Sequence, residues 1–178
     1  VPGAFVSTDN RLDLVVLVSR VDDAGVWQGR LELRPFHDAV GPVSAAWPLP
    51  GSPEACVALA GGRVAVLCRG AQGNGTILHV RDVYTGVVAV EAVVSNAAPA
   101  GLQLARDGRA LYVLVSGYAT DRPSGDAVSW LYQFALPGLR LAGKPLELPG
   151  VAAPEAHPLA AGQGGCWAST RAPSSATP

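Results

Sequence analysis

One stretch of the chain decides the fold: Pro99-Ala100-Gly101-Leu102-Gln103-Leu104-Ala105-Arg106-Asp107-Gly108-Arg109-Ala110-Leu111-Tyr112-Val113-Leu114-Val115. A proline opens it, and a short apolar run, an Asp-Gly turn and a second apolar run follow. Aspartate and glycine tolerate the positive φ values of a tight hairpin turn. Apolar runs on both sides of such a turn predict two antiparallel strands.

The same pattern occurs four times along the chain. Its leading prolines stand at positions 2, 53, 99 and 154, so the repeats are 51, 46 and 55 residues long. A third and a fourth apolar run follow each of the first three hairpins. Four strands in about 50 residues is the repeat of a β-propeller blade. The turns that align the repeats are Asp9-Asn10-Arg11, Gly61-Gly62-Arg63, Asp107-Gly108-Arg109 and Gly162-Gln163-Gly164-Gly165.

The repeats predict an all-β chain of about three and a half propeller blades, each with four antiparallel strands. An arc of this kind leaves a blade face and a strand edge uncovered, which natural β-proteins avoid. We therefore expect a segment of a larger propeller with roughly six to eight blades, and a closed four-bladed ring is the alternative. The predicted divisions are blade 1 at 1–51, blade 2 at 52–97, blade 3 at 98–150, a partial blade 4 at 151–170 and a linker-like tail at 171–178.

Composition excludes several classes of partner. The chain is 49% hydrophobic and only 15% charged, with a formal net charge of −1. It lacks the basic surface that nucleic-acid binding requires, so no nucleic-acid partner is expected. No apolar run approaches the roughly 18 residues of a membrane helix, so no membrane insertion by this segment is expected. Phosphate-binding loops, nucleophile elbows and zinc motifs do not occur, and no cofactor is predicted.

Three side chains are candidates for a site at the mouth of a propeller channel. Glu54 and Glu155 each follow the leading proline of their repeat, and His157 begins a first strand. Carboxylates from several blades can converge there on a cation or a polar ligand. The alternative is that both glutamates are solvated loop residues and that His157 has a structural role.

Three cysteines, Cys56, Cys68 and Cys166, cannot all pair within one chain. A three-residue turn at Gly61-Gly62 would place Cys56 opposite Cys68, which permits a disulfide. A two-residue turn would instead pair Cys56 with Leu67. Buried free thiols on apolar strands are the alternative to the disulfide.

The sequence Asn74-Gly75-Thr76 matches the acceptor pattern for N-glycosylation. It lies in a polar loop, as an acceptor asparagine must. Asn-Gly is equally a turn-forming pair, so the motif also has a purely structural interpretation.

Two segments resemble a known family of repeats. Asp107 to Val113 and Asp82 to Val88 resemble the YVTN group of β-propeller repeats and, more loosely, WD-repeat and quinoprotein-type blades. The first repeat departs from that motif with Asp9-Asn10 in place of Asp-Gly, and the fourth has lost the aspartate. The resemblance implies a propeller and favours an extracytoplasmic location. It does not imply an activity, because propellers include enzymes and scaffolds alike.

The sequence therefore predicts a non-catalytic propeller segment that acts as a protein-interaction scaffold. Its partner would be another protein or the remaining blades of the same protein. The alternative is part of a propeller enzyme or cofactor-binding subunit, of quinoprotein or lactonase type, with a ligand at the axial channel. A convergent group of His, Glu, Asp and Arg side chains would distinguish the enzyme from the scaffold.

Overall fold

The fold is all-β, as the sequence predicts. In the part of the chain that is described, strands and turns alternate and no helix occurs. The chain divides into two compact units, Val1–Asn96 and Ala97–Pro178. The computed structural model describes residues 3–8, 11–35, 42–70, 75–118, 126–152, 159–162, 165–168 and 170–171.

The first unit contains two four-stranded antiparallel sheets, each with its strands in chain order. This up-and-down arrangement is that of a propeller blade. The first sheet consists of β1 (Gly3–Thr8), β2 (Arg11–Val21), β3 (Trp27–Pro35) and β4 (Ala45–Leu49). The second sheet consists of β5 (Gly51–Leu59), β6 (Arg63–Gly70), β7 (Thr76–Asp82) and β8 (Val88–Ser95).

The second unit contains a third antiparallel sheet whose outer edge is interrupted. Its strands are β9 (Ala98–Leu104), β10 (Ala110–Tyr118), β11 (Ala127–Ala135), β12 (Arg140–Leu141) and β13 (Leu146–Pro149). Both β12 and β13 pair with β11, so together they take the place of a fourth strand. Two short pairs follow, formed by β14 (Val151–Ala152) with β17 (Thr170–Arg171) and by β15 (Leu159–Gly162) with β16 (Gly165–Ala168).

Alternation along the strands builds the core of the first unit. Val15 and Leu17 of β2 are buried, and the register places them opposite the buried residues Leu33 and Leu31 of β3. Residues directly opposite on antiparallel strands share a face, so this face of the sheet is apolar. It packs against the second sheet, whose contribution to the core includes Val64, Val66, Cys68 and Val83.

The hairpin turns follow the predicted chemistry. Leu59 pairs with Arg63, which leaves Ala60, Gly61 and Gly62 as a three-residue turn. Both glycines have positive φ, at 74° and 72°, a conformation that glycine adopts without steric cost.

The first two sheets come very close together at one point. Gly29 lies in β3 and Gly51 begins β5. A Cβ atom at Gly29 would overlap the carbonyl oxygen of Gly51 and would also press on the proline ring of Pro53. Because the nearest atom belongs to the backbone, no side-chain rotation can relieve the overlap.

We therefore predict that Gly29→Ala lowers the free energy of unfolding by about 2 kcal/mol or more, because the two sheets must separate. Urea unfolding monitored by tryptophan fluorescence measures the change. Gly138→Ala is the matched control, since its Cβ would meet only Cγ of Arg140, at 3.9 Å. Its effect should stay within about 0.5 kcal/mol, and equal losses for the two variants would contradict the close approach.

Candidate functional site

The first sheet has a second face, which points away from the second sheet because side chains alternate along each strand. We call it the outer face. It carries a cleft of about 280 Å³. Its walls include Val18, Arg20, Gln28, Arg30, Ala46 and Pro48.

Strand register brings the polar and apolar walls of this cleft together. Val18 lies opposite Arg30, and Arg30 lies opposite Pro48 on the next strand. Arg20 lies opposite Gln28, one row further along. Arg20 and Arg30 are thus diagonal neighbours on one face, at a spacing that long side chains can bridge.

A buried carboxylate supports one of these arginines. The Glu32 side chain is 2% exposed and forms ion pairs with Arg30 and Arg34. Nη2 of Arg34 donates to Oε2 of Glu32 at 2.7 Å. Hydrogen bonding from Arg34 is the largest influence on the pKa of Glu32, which is lowered despite burial. Glu32 is therefore ionised and balances part of the positive charge on the outer face.

Arg20 is oriented by the neutral side-chain amide of Gln28, whereas Arg30 is paired with a carboxylate. Nη2 of Arg20 donates to Oε1 of Gln28 at 3.1 Å, and Nε2 of Gln28 donates to Oδ2 of Asp22 at 2.8 Å. Oδ1 of Asp22 accepts the backbone N–H groups of Ala24 and Val26 at 3.0 and 2.9 Å. The Val26 bond is the largest cause of the lowered pKa of Asp22. This chain of bonds orients the Arg20 guanidinium without an ion pair to it among the described contacts.

A second polar group lies between the two sheets of the first unit. His79 is 1% exposed, and its Nδ1 is 3.0 Å from Oε2 of Glu91. Nε of Arg81 donates to Nε2 of His79 at 3.2 Å, so Nε2 is the acceptor and Nδ1 carries the proton. Arg81 also donates through Nη1 to the carbonyl oxygen of Gly86 at 2.7 Å, and its Cζ is 5.9 Å from the ring centroid of Trp47.

In an enzyme, a histidine that is oriented by a carboxylate can act as a general base. The geometry of His79 and Glu91 indicates a structural role instead. In a general base the second ring nitrogen points at a substrate or nucleophile. Here Arg81 already donates to that nitrogen, and the ring is buried. Sequence analysis missed this group. The sequence signal for this group is that His79 and Arg81 are two residues apart on one strand and so share a face of the sheet. Glu91 lies opposite His79 on the neighbouring strand.

We predict that the His79 imidazole makes stability depend on pH. Burial is the main cause that lowers its pKa below the ordinary value of 6.5. The hydrogen bond with Glu91 offsets part of this shift, and the Arg81 charge adds to it. The unfolded chain then binds more protons at that position, so stability is full above pH 6.5 and is lost as pH falls toward the folded pKa. Urea unfolding between about pH 5 and 7 should show this loss in the wild type. His79→Gln should have a flatter pH slope, and equal slopes would contradict the assignment.

The structure places one of the three predicted channel residues. Glu54 is exposed at an irregularity in β5, and its Oε1 accepts from Nε of Arg69 at 2.9 Å. Glu155, His157 and the glycosylation candidate Asn74 lie outside the described residues, so their roles stay predictions. In the part of the chain that is described, no group of three or more His, Cys, Asp or Glu side chains could hold a metal ion.

The structure does not contain the disulfide that the sequence permits. Cys56 and Cys68 are both free. The three-residue turn is centred on Gly61, so Cys56 pairs with Val66, and the register shift next to Pro53 pairs that proline with Cys68. The cysteines are therefore diagonal neighbours, and diagonal pairs on an antiparallel ladder typically have Cα atoms about 7–8 Å apart. A disulfide needs roughly 4.4–6.8 Å.

We predict that these two thiols are unreactive in the folded protein. Burial raises the pKa of Cys56 to about 11 and that of Cys68 to about 12, so neither forms appreciable thiolate at about pH 8. In a Cys166→Ser background, Ellman's reagent should titrate both thiols in urea and neither within minutes under native conditions. If Cys56 and Cys68 do not react with the reagent in urea, they form a disulfide and the prediction is wrong.

Comparisons with known proteins provide evidence about the fold. No family model and no curated protein matches the chain. The acylaminoacyl peptidase of Pyrococcus horikoshii is similar in structure, with a TM-score of 0.54 and 11% identity over 83% of this chain and 25% of that one. The β-propeller domain of the Trilobed protease from Pyrococcus furiosus has a TM-score of 0.47 and 13% identity over 84% of this chain and 44% of that one.

The chain thus spans less than half the length of either solved structure. At such low identity the likeness concerns the fold alone. The YVTN and WD-repeat assignments stay predictions. In the described ranges, no helix is long and apolar enough to cross a membrane. Successive four-stranded antiparallel sheets, together with the structural likeness, show that the chain is a segment with a β-propeller fold.

Proposed function

We propose that this chain is a non-catalytic propeller segment that acts as a protein-interaction scaffold within a larger protein or complex. The observation that carries the proposal is the edge of the second sheet formed by β8. A strand at the edge of a sheet presents backbone N–H and C=O groups on its outer side. Another extended chain can pair with them.

β8 is long and apolar for an outer strand. It has eight residues and ends its sheet, with only β7 as a described partner. Val88 is 43% exposed and Val93 is 69% exposed. Glu91 is its one charged residue. Exposed valines on such an edge favour an apolar strand as the partner.

The fourth strands of the other two sheets are shorter than β8, and β12, which shares its edge with β13, has only two residues. β4 has five residues and includes Pro48, while β13 has four residues and ends at Pro149. Proline has no N–H group to donate to a neighbouring strand. β8 contains no proline, and register shifts near its two ends enclose a regular ladder over residues 90–93. We assign this ladder as the docking stretch.

The titratable groups described above support a non-catalytic role. Glu32 forms ion pairs with two arginines, His79 lies between Glu91 and Arg81, and Glu54 pairs with Arg69. Each group is engaged by its own neighbours instead of converging with the others on a shared cavity. A catalytic site requires such convergence.

The proposal is tested by placing a photo-crosslinking amino acid at Val93 in the cells that make the protein. We expect a specific adduct whose cross-linked peptide belongs to an extended segment of a partner protein or of another blade. Val43 is the matched control, because it is also an exposed valine of the first unit, at 38%, but lies just before β4 in the first sheet.

A charged residue at the edge should prevent strand addition, because its desolvation opposes pairing. We predict that Val93→Lys reduces partner recovery about tenfold, equivalent to about 1.4 kcal/mol, and that Val43→Lys leaves it unchanged. Quantitative mass spectrometry of the purified complexes measures both. The proposal fails if positions 43 and 93 give the same adducts, or if the two lysine variants behave alike.

A further inference from the structure

The cleft on the outer face of the first sheet is a binding site separate from β8, which belongs to the second sheet. We propose that it binds one side-chain carboxylate of an acidic peptide segment in a partner protein. The assignment concerns different residues from those of the proposed function, so either can fail alone.

The donors in the cleft suit a carboxylate. A guanidinium has five N–H donors in a planar fork that matches the two oxygens of a carboxylate. Arg20 uses one donor on Gln28 in the described contacts, and Arg30 is directed to Glu32 while its side chain stays 55% exposed. Both arginines line the same cleft. Donors therefore remain at both guanidinium groups for an incoming anion.

The cleft is also organised before any ligand arrives. Gln28 holds Arg20, and Asp22 holds Gln28. Asp22 is itself fixed by two backbone N–H groups of the turn that joins β2 to β3. Ordering a long side chain costs free energy on binding, and part of that cost has already been met here.

The charges that line the cleft favour an anion. Its two charged lining residues, Arg20 and Arg30, are both cations, and the carboxylates of Glu32, Asp22 and Asp23 are not part of the lining. The buried Glu32 carboxylate is paired with Arg30, so it would oppose the second charge of a phosphate dianion more than the single charge of a carboxylate.

The volume of the cleft and its apolar walls further restrict the kind of ligand that it can bind. Ligand sites for small molecules occupy about 300–1,000 Å³, and this cleft, at about 280 Å³, lies at the lower limit. It suits one acidic side chain with a small apolar neighbour. Val18, Ala46 and Pro48 provide the apolar contact beside the two guanidinium groups.

The test is a nuclear magnetic resonance titration of the isotopically labelled full chain with two neutral-ended peptides, acetyl-Val-Glu-Val-amide and acetyl-Val-Gln-Val-amide. The glutamate peptide should shift the amide signals of Arg20, Gln28 and Arg30. The glutamine peptide should bind at least tenfold more weakly, because it cannot form charge-assisted hydrogen bonds. Inorganic phosphate is the competing probe.

Variants connect the shifts to the cleft. Arg20→Gln should weaken binding of the glutamate peptide at least fivefold. Arg106→Gln is the matched control, because Arg106 is an exposed arginine in the turn between β9 and β10, and it should leave binding unchanged. Equal binding of the two peptides, tighter binding of phosphate, or no effect of Arg20→Gln would each overturn the assignment.

Discussion

Apolar packing between the facing sides of the first two sheets is the constraint on which the first unit depends. Leu17 and Leu31 of one sheet and Val66 of the other belong to one buried cluster. Antiparallel side chains alternate strictly, so a register slip of one residue would exchange the two faces of a strand. The core therefore fixes not only its own residues but also every residue that points the other way.

The outer-face cleft follows from this constraint. Arg20 and Arg30 alternate in sequence with residues such as Leu17 and Leu31, so burying the leucines places the arginines on the opposite side. The same alternation places Gly29 on the inner side, where it permits close contact with Gly51, and places Arg30 on the outer face. The alternation of side chains along β2 and β3 therefore determines both the proposed binding surface and the interface between the two sheets.

The fold could be predicted from sequence because turns and apolar runs are local signals. Gly61 and Gly62 identified a hairpin that the structure confirms. The polar groups could not be predicted, because they join residues on different strands, and the partner of each depends on register. A turn centred on Gly61, with a register shift beside Pro53, was enough to move Cys56 away from Cys68. The same dependence hid the contact of His79 with Glu91.

The contact between Arg81 and Trp47 has a consequence for a protein built from similar repeats. Repeated sheets are alike in their apolar cores, so hydrophobic contact alone distinguishes them poorly. A guanidinium buried at a sheet interface raises the cost of pairing with the wrong neighbour, because a sheet without an aromatic ring in the place of Trp47 would leave that cation poorly accommodated. The interface between the first two sheets therefore depends on one particular pair of residues, Arg81 and Trp47, in addition to its apolar packing.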